Sequence, residues 1–278
     1  MELDAYLARI GFKGTVAPTL ECLMQIHRQQ ALTVPYEALD IMFGRTIDRN
    51  VNRIFDRVVT RRRGAWCYET HELLAWALRE IGFSVRIVTA GIHRREYGDV
   101  KLGNHTAVLV DLDRVYLADL GLDDGIRYPI PLEEGTYQQG RLSFGLERLQ
   151  DGFWRFQNHA FSYPTNFDFK DDAPCDDVLV DRYTAEFRTS PDSMYIVNLV
   201  CQIMQEETVT CLTGRVLRHK TPDGVSKRLI KEEEFEDTFE QVFGIRDPDI
   251  RSLWPRVQAR HQALFGDAPI EQLNVVGF

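Results

Sequence analysis

Apolar positions in the first third of the chain recur at helical spacing. Residues 4–10 and 20–30 show it, and Thr70, Leu73, Leu74, Ala77, Leu78 and Ile81 form one stripe that Gly82 closes, so three helices are predicted there. The pattern then changes. From Phe83 to about Asp192, short aliphatic and β-branched runs dominate, with Val85, Ile87 and a longer run over residues 108–120, and Gly, Pro and Asp punctuate them. This predicts strands that close into a small barrel or sandwich. Beyond Ser193, strand-like residues 209–217 and 226–230 flank the turn Thr221-Pro222-Asp223-Gly224, and residues 232–243 and 249–265 read as helices. The expected class is α+β in three regions: an N-terminal helical bundle (1–82), a central β-barrel or sandwich (83–192) and a C-terminal α/β lid (193–278). The apolar ending over residues 273–278 is expected to pack on its own region or on a partner copy, and the pattern leaves the oligomeric state open.

Composition narrows the class of protein. With 278 residues, 44% hydrophobic and 27% charged, the chain is long enough to bury a large core. No apolar run approaches the roughly 18 residues needed to span a bilayer, and Met1-Glu2-Leu3-Asp4 is too acidic for a signal peptide. A cytoplasmic location is the expectation. The five cysteines contain no CxxC pair, which fits neither a disulfide framework nor a zinc site. His71-Glu72 does not open a zinc-protease motif, since Ala75 stands where HExxH needs its second histidine. No metal is expected. A formal net charge of -9 argues against nucleic acid or an anionic membrane as partner, so a polyphosphate ligand would need a local basic patch.

Candidate chemistry centres on Cys67. In Arg61-Arg62-Arg63-Gly64-Ala65-Trp66-Cys67-Tyr68-Glu69 a Gly-containing turn delivers a cysteine into the first turn of a helix, where the helix terminus and upstream arginines favour the thiolate. Acyl chemistry also needs a base and a group to orient it. His105 opens the apolar run 105–110, and Asp119 closes the run 115–121. A three-residue loop at Asp111, Leu112 and Asp113 would pair Val110 with Arg114 and set His105 opposite Asp119 on one face. A two-residue loop would put them on opposite faces. His71 competes for the role of base, because it lies one helical turn after Cys67.

The order Cys67, His105, Asp119 resembles the arylamine N-acetyltransferase family, whose members transfer acyl groups from coenzyme A through a cysteine. In that family the cysteine follows Arg-Gly-Gly-x, here Arg63-Gly64-Ala65-Trp66. The acid begins Asp-Val-Gly-Phe-Gly, here Asp119-Leu120-Gly121-Leu122-Asp123, and Pro-Phe-Glu-Asn-Leu corresponds to Pro35-Tyr36-Glu37-Ala38-Leu39. The resemblance covers nearly the whole chain. It implies a papain-like triad of Cys67, His105 and Asp119, with backbone N–H groups near Cys67 and Tyr68 meeting the oxyanion. It also implies a structural ion pair between Arg63 and Glu37, a pocket at Tyr36, Trp66 and Leu122, and a contact from His71 to Asp119. Acetyl-CoA or another acyl-CoA would be a co-substrate, with no tightly bound cofactor, and a small-molecule amine or hydrazine the acceptor.

For coenzyme A phosphates the most basic stretch is Gly214-Arg215-Val216-Leu217-Arg218-His219-Lys220, so Arg215, Arg218 and Lys220 are the candidate contacts, against a solvated strand edge as the plain alternative. Arg61 and Arg62 read as solvated charge. The chain departs from the family at Ala38, Ala65, His71, Leu122 and Asp123. Losing the aromatic at Leu122 removes a flat wall for an aryl ring and points to a reshaped acceptor pocket. Two other functions fit the same residues. One is an amide synthase of natural-product assembly that takes its acyl chain from a carrier protein. The other is a non-catalytic small-molecule-binding scaffold.

Overall fold

The computed structural model describes residues 1–122 and 124–273. The departure at Asp123 and residues 274–278 of the apolar ending lie outside them. The helices are α1 (Leu3–Ile10), α2 (Leu20–Thr33), α3 (Leu39–Met42), α4 (Val51–Phe55), α5 (Cys67–Ile81), α6 (Arg94–Tyr97), α7 (Asp177–Thr189), α8 (Met194–Val197), α9 (Phe235–Phe243) and α10 (Trp254–Phe265). An antiparallel near-barrel sheet runs in the order β5 (Ile130–Pro131), β4 (Val115–Leu117), β3 (His105–Asp111), β2 (Ser84–Ile92), β9 (Asn166–Phe169), β8 (Trp154–Gln157), β7 (Leu142–Arg148), β6 (Gly135–Gln139). Its two edge strands, β5 and β6, are consecutive in sequence, which curls the sheet around a core of Ala107, Leu109, Leu117, Leu142, Phe144, Phe156 and Phe167.

The layer outside this sheet is α5. Its stripe of Leu73, Leu74, Ala77 and Leu78 packs against Val108, Val110 and Ala118. Strand β3 is therefore apolar on both faces, with alternate residues turned to the helix and to the sheet's interior, which explains its unbroken hydrophobic run. Parity then places the polar residues that open the strand. Thr106 shares the helix-facing side with Val108, while His105 shares the inner side with Ala107 and Leu109.

Several expectations are corrected. The β3–β4 loop is Leu112, Asp113 and Arg114, because Asp111 pairs with Val115 and Val110 with Tyr116. Both loop ends sit one residue later than expected, so the register moves by two and Asp119 falls opposite Ala107, not His105; the loop remains odd, so His105 and Asp119 keep the same side. Residues 83–192 are not strands throughout, since they contain α6 and α7. Residues 209–217 are not one strand either. They break at Gly214-Arg215 into β11 (Val209–Thr213) and β12 (Val216–Thr221), and β12 forms the hairpin with β13 (Gly224–Leu229). The two C-terminal helices each begin with a 3-10 turn, at Glu232–Glu234 and Ile250–Leu253. The second sheet is β1 (Tyr36–Glu37), β10 (Val200–Met204), β11, β12 and β13, so a strand from the N-terminal region forms its edge.

Candidate active site

Arg63, only 2% exposed, anchors the turn before Cys67. Its Nε donates to Glu37 Oε1 at 3.0 Å, and its guanidinium also meets Asp40 and Asp247. The same Glu37 carboxylate accepts the Gly64 N–H at 3.2 Å and the Leu39 N–H at 2.7 Å. It thereby caps α3, for which Ala38 offers no side-chain cap. A buried ion pair is costly to desolvate unless its lone pairs are used, and here both carboxylate oxygens are. A Cβ on Gly64 would lie 2.3 Å from the Pro35 carbonyl, whereas Ala65 sits in the core and bridges Tyr36. Of the two glycines in the family pattern, this fold needs the first. Arg61 pairs with Asp56 and Arg62 is exposed.

Cys67 is the first residue of α5 and only 4% exposed. Glu69 stabilises this helix start by accepting the Trp66 N–H at 3.3 Å, and it is ion paired with Arg57. The helix terminus alone would favour a thiolate. Burial instead pushes the Cys67 thiol up, against the opposing pull of the Tyr68 N–H and the Tyr36 hydroxyl. Tyr68 is held by its hydroxyl, which donates to the Gly103 carbonyl at 2.5 Å.

A buried histidine meets a buried carboxylate nearby in the fold. His105 Nε2 donates to Asp119 Oδ2 at 2.9 Å, and both residues are essentially buried. This bond sets the tautomer and leaves Nδ1, buried and without a hydrogen-bond partner, as the basic nitrogen. Asp119 Oδ1 accepts the N–H groups of Gly121 at 3.0 Å and Leu122 at 3.3 Å. Burial opposes charge on Asp119, but His105 and then His71 more than offset it and hold the carboxyl well below the usual range.

His71 sits beside this pair and does not duplicate it. Its Nε2 accepts two backbone N–H groups, from Gly121 at 2.8 Å and Leu120 at 3.2 Å, so its proton is on Nδ1 and is donated to Thr106 Oγ1 at 2.9 Å. The expected contact with Asp119 is a 3.5 Å approach, not a donated hydrogen bond. His71 grips the loop on which Asp119 stands. A Cβ on Gly121 would come within 2.5 Å of the His71 ring and 2.8 Å of the His105 ring, so only glycine lets both imidazoles close on the acid.

A cavity of about 190 Å³ opens beside Cys67. Tyr36, Gly121 and Leu122 line it, and His93, Tyr163, Phe187 and Tyr195 are among its other walls. No motif near Cys67 or Asp119 signals these aromatic residues. Trp66 is a correction. At 1% exposed it backs the wall through edge contacts with Tyr68 and Tyr195. The basic trio is another correction. Arg215 bonds Ile230 O and Gln258, Arg218 bonds Thr213, and Lys220 is buried against Asp124, so the three form no common phosphate patch. Among the described residues the one grouping with metal-ligand spacing is His71, His105 and Asp119, within 4.8 Å of one another. The fold, not sequence spacing, creates it, and backbone N–H groups already occupy the lone pair of His71 Nε2.

Comparison with known proteins identifies the family and the fold. The profile of the N-acetyltransferase family matches residues 19–248. The chain is 29% identical to the pineal gland isozyme of arylamine N-acetyltransferase from Gallus gallus, over 88% of this chain and 94% of that protein. It is 30% identical to arylamine N-acetyltransferase 1 of Homo sapiens with the same coverage. Among solved structures, the arylamine N-acetyltransferase of M. tuberculosis superposes with a TM-score of 0.82 at 27% identity, covering 92% of this chain and 99% of that one. The Mycobacterium marinum enzyme in complex with CoA gives 0.81 at 25% identity, covering 93% and 98%.

Proposed function

The chain belongs to the N-acetyltransferase family, and on that premise we propose that it moves an acyl group from acyl-CoA through Cys67 to an aromatic amine or hydrazine. In the first half-reaction Cys67 Sγ attacks the thioester carbonyl while His105 Nδ1 takes its proton. The Tyr68 N–H meets the oxyanion, and the coenzyme thiol leaves with the proton from His105. In the second, the amine attacks the acyl-cysteine, His105 accepts the amine proton, and the Cys67 thiol is released with it. Asp119 holds the tautomer and stabilises the imidazolium in both steps. Donor and acceptor use one cavity in turn, which predicts ping-pong kinetics. The observation that carries this reading is the buried His105–Asp119 pair, its Nδ1 unbonded, next to a cavity that the Cys67 thiol lines. The aromatic walls support an aryl acceptor.

Incubation with acetyl-CoA and intact-mass measurement tests the proposal. The expected result is a gain of one acetyl group on Cys67, discharged by an aromatic amine and absent in Cys67→Ala. Acylation only from a carrier-bound thioester would overturn coenzyme A as donor, and no acylation from either would leave a binding scaffold.

A further inference from the structure

Lys220, which the sequence pattern offers to a phosphate, belongs instead to a buried cluster built on Asp124. Asp124 Oδ2 accepts from Lys220 Nζ at 2.6 Å, and Oδ1 accepts from His159 Nε2 at 2.8 Å and Arg127 Nη1 at 3.4 Å. All four residues are buried. They come from three parts of the fold: the loop that follows Asp119, the β8–β9 connection, and strand β12 of the second sheet. Arg127 adds bonds to the carbonyls of Gln205 at 3.0 Å and Thr208 at 3.2 Å, in the β10–β11 turn. Asn158 completes the tie, its Nδ2 donating to the Asp124 carbonyl at 2.9 Å and the Pro164 carbonyl at 3.1 Å.

The two loops joined here are loops that wall the cavity beside Cys67. One supplies Gly121 and Leu122, the other Tyr163 and Pro164. We propose that Asp124 and Lys220 are a positioning pair for the acceptor step, which pins both loops to the second sheet and so fixes the width of the slot that receives the acceptor's aryl group. This rests on the acyl-transfer reading for the name of the ligand and on the geometry alone for the slot. Removing the Lys220 charge leaves Asp124 Oδ2 without its donor and the buried carboxylate with only the longer Arg127 contact, 3.4 Å, as its cation. The loop must then shift to hydrate it, and the slot shifts with it. The dyad is less exposed to this change, since Asp119 is held by His105 and by the Gly121 and Leu122 N–H groups, while His71 grips the Gly121 N–H.

Two readouts on Lys220→Met test the pair. In the first, Cys67 acylation by acetyl-CoA in a single turnover is compared with the KM for 4-anisidine; the expected result is an acceptor KM raised about fivefold or more with acylation within about twofold. In the second, Cys67 alkylation by iodoacetamide and by N-phenyl chloroacetamide is followed by peptide mapping; the expected result is a several-fold change in their rate ratio, which needs no enzyme activity. Asp124→Asn/Lys220→Met, with neither charge, should recover most of both. An unchanged ratio with only a lowered Tm overturns the pair as a positioning device. Failure of the natural protein to be acylated overturns the acyl-transfer reading and leaves the alkylation ratio to decide the slot.

Discussion

Two buried aspartates stand five residues apart on one loop, and each receives the Nε2 proton of a histidine: Asp119 from His105 at 2.9 Å and Asp124 from His159 at 2.8 Å. They differ in what else surrounds them. Asp124 has permanent cations in Lys220 and Arg127, so its charge is compensated before any proton moves. Asp119 has only imidazoles and backbone N–H groups. Its charge is compensated fully only when an imidazole beside it takes a proton, which is the event that the proposed deprotonation of Cys67 would bring about. A buried carboxylate matched by fixed cations makes architecture, and one matched only by a titratable base makes a site.

The sharpest way to break the comparison is to neutralise each carboxylate. Asp119→Asn should reduce acyl transfer by about 10⁴-fold with little loss of fold, because the amide no longer enforces the His105 tautomer; a loss below tenfold in single-turnover acylation would remove Asp119 from the scheme. Asp124→Asn should instead reduce stability by roughly 3–5 kcal/mol, because Lys220 and Arg127 are left without their anion, with a much smaller change in acylation. Urea unfolding and single-turnover assays on both variants separate the two roles. The reverse outcome would exchange them.

A smaller effect concerns the histidine behind the Asp124 cluster. His27 donates from Nδ1 to the Arg127 carbonyl, and burial lowers its pKa to about 4 despite that bond. Its neutral form is therefore favoured by the fold. That contribution is complete above the unfolded value near 6.5 and is lost as pH falls toward 4, at most about 3 kcal/mol. Glu69, lifted to about 7 by burial despite Arg57, acts in the opposite sense, since its contribution declines as pH rises through that range. The measurement is therefore the difference between the natural protein and His27→Gln in urea unfolding from pH 7 to 4. A difference independent of pH would refute the assignment.

The smallest effect should come from His71→Asn. Asparagine can also accept from the Gly121 N–H, so turnover should fall by less than about tenfold. A loss equal to that of His105→Ala would make His71 the base.

Much of this was legible in the sequence where the signal is local. The α5 stripe and the β3 run are periodic within one element, and the Arg63 turn and the Asp119 loop have residues that each local geometry demands. Parity survived even where the loop position did not, because shifting both ends of the β3–β4 loop by one residue keeps its odd length. The illegible parts are pairings between distant segments. Lys220 and Asp124 are 96 residues apart, and a basic run on a strand looks the same whether it meets phosphate, solvent or a buried aspartate. The cavity walls at Tyr163, Phe187 and Tyr195 come from a loop, α7 and α8, brought together by tertiary packing that no periodicity reveals. The thiol is similar: the helix terminus is visible in sequence, but the burial that opposes it is not.

The pairing of β1 with β10 has a consequence for how the protein is made. Tyr36 and Glu37, which frame the turn before Cys67, find their strand neighbours only at Gln202 and Cys201, and Arg63 finds one of its carboxylates only at Asp247. A chain still emerging from the ribosome therefore holds Cys67, His105 and Asp119 before it holds the strand and the carboxylate that buttress the turn in front of Cys67.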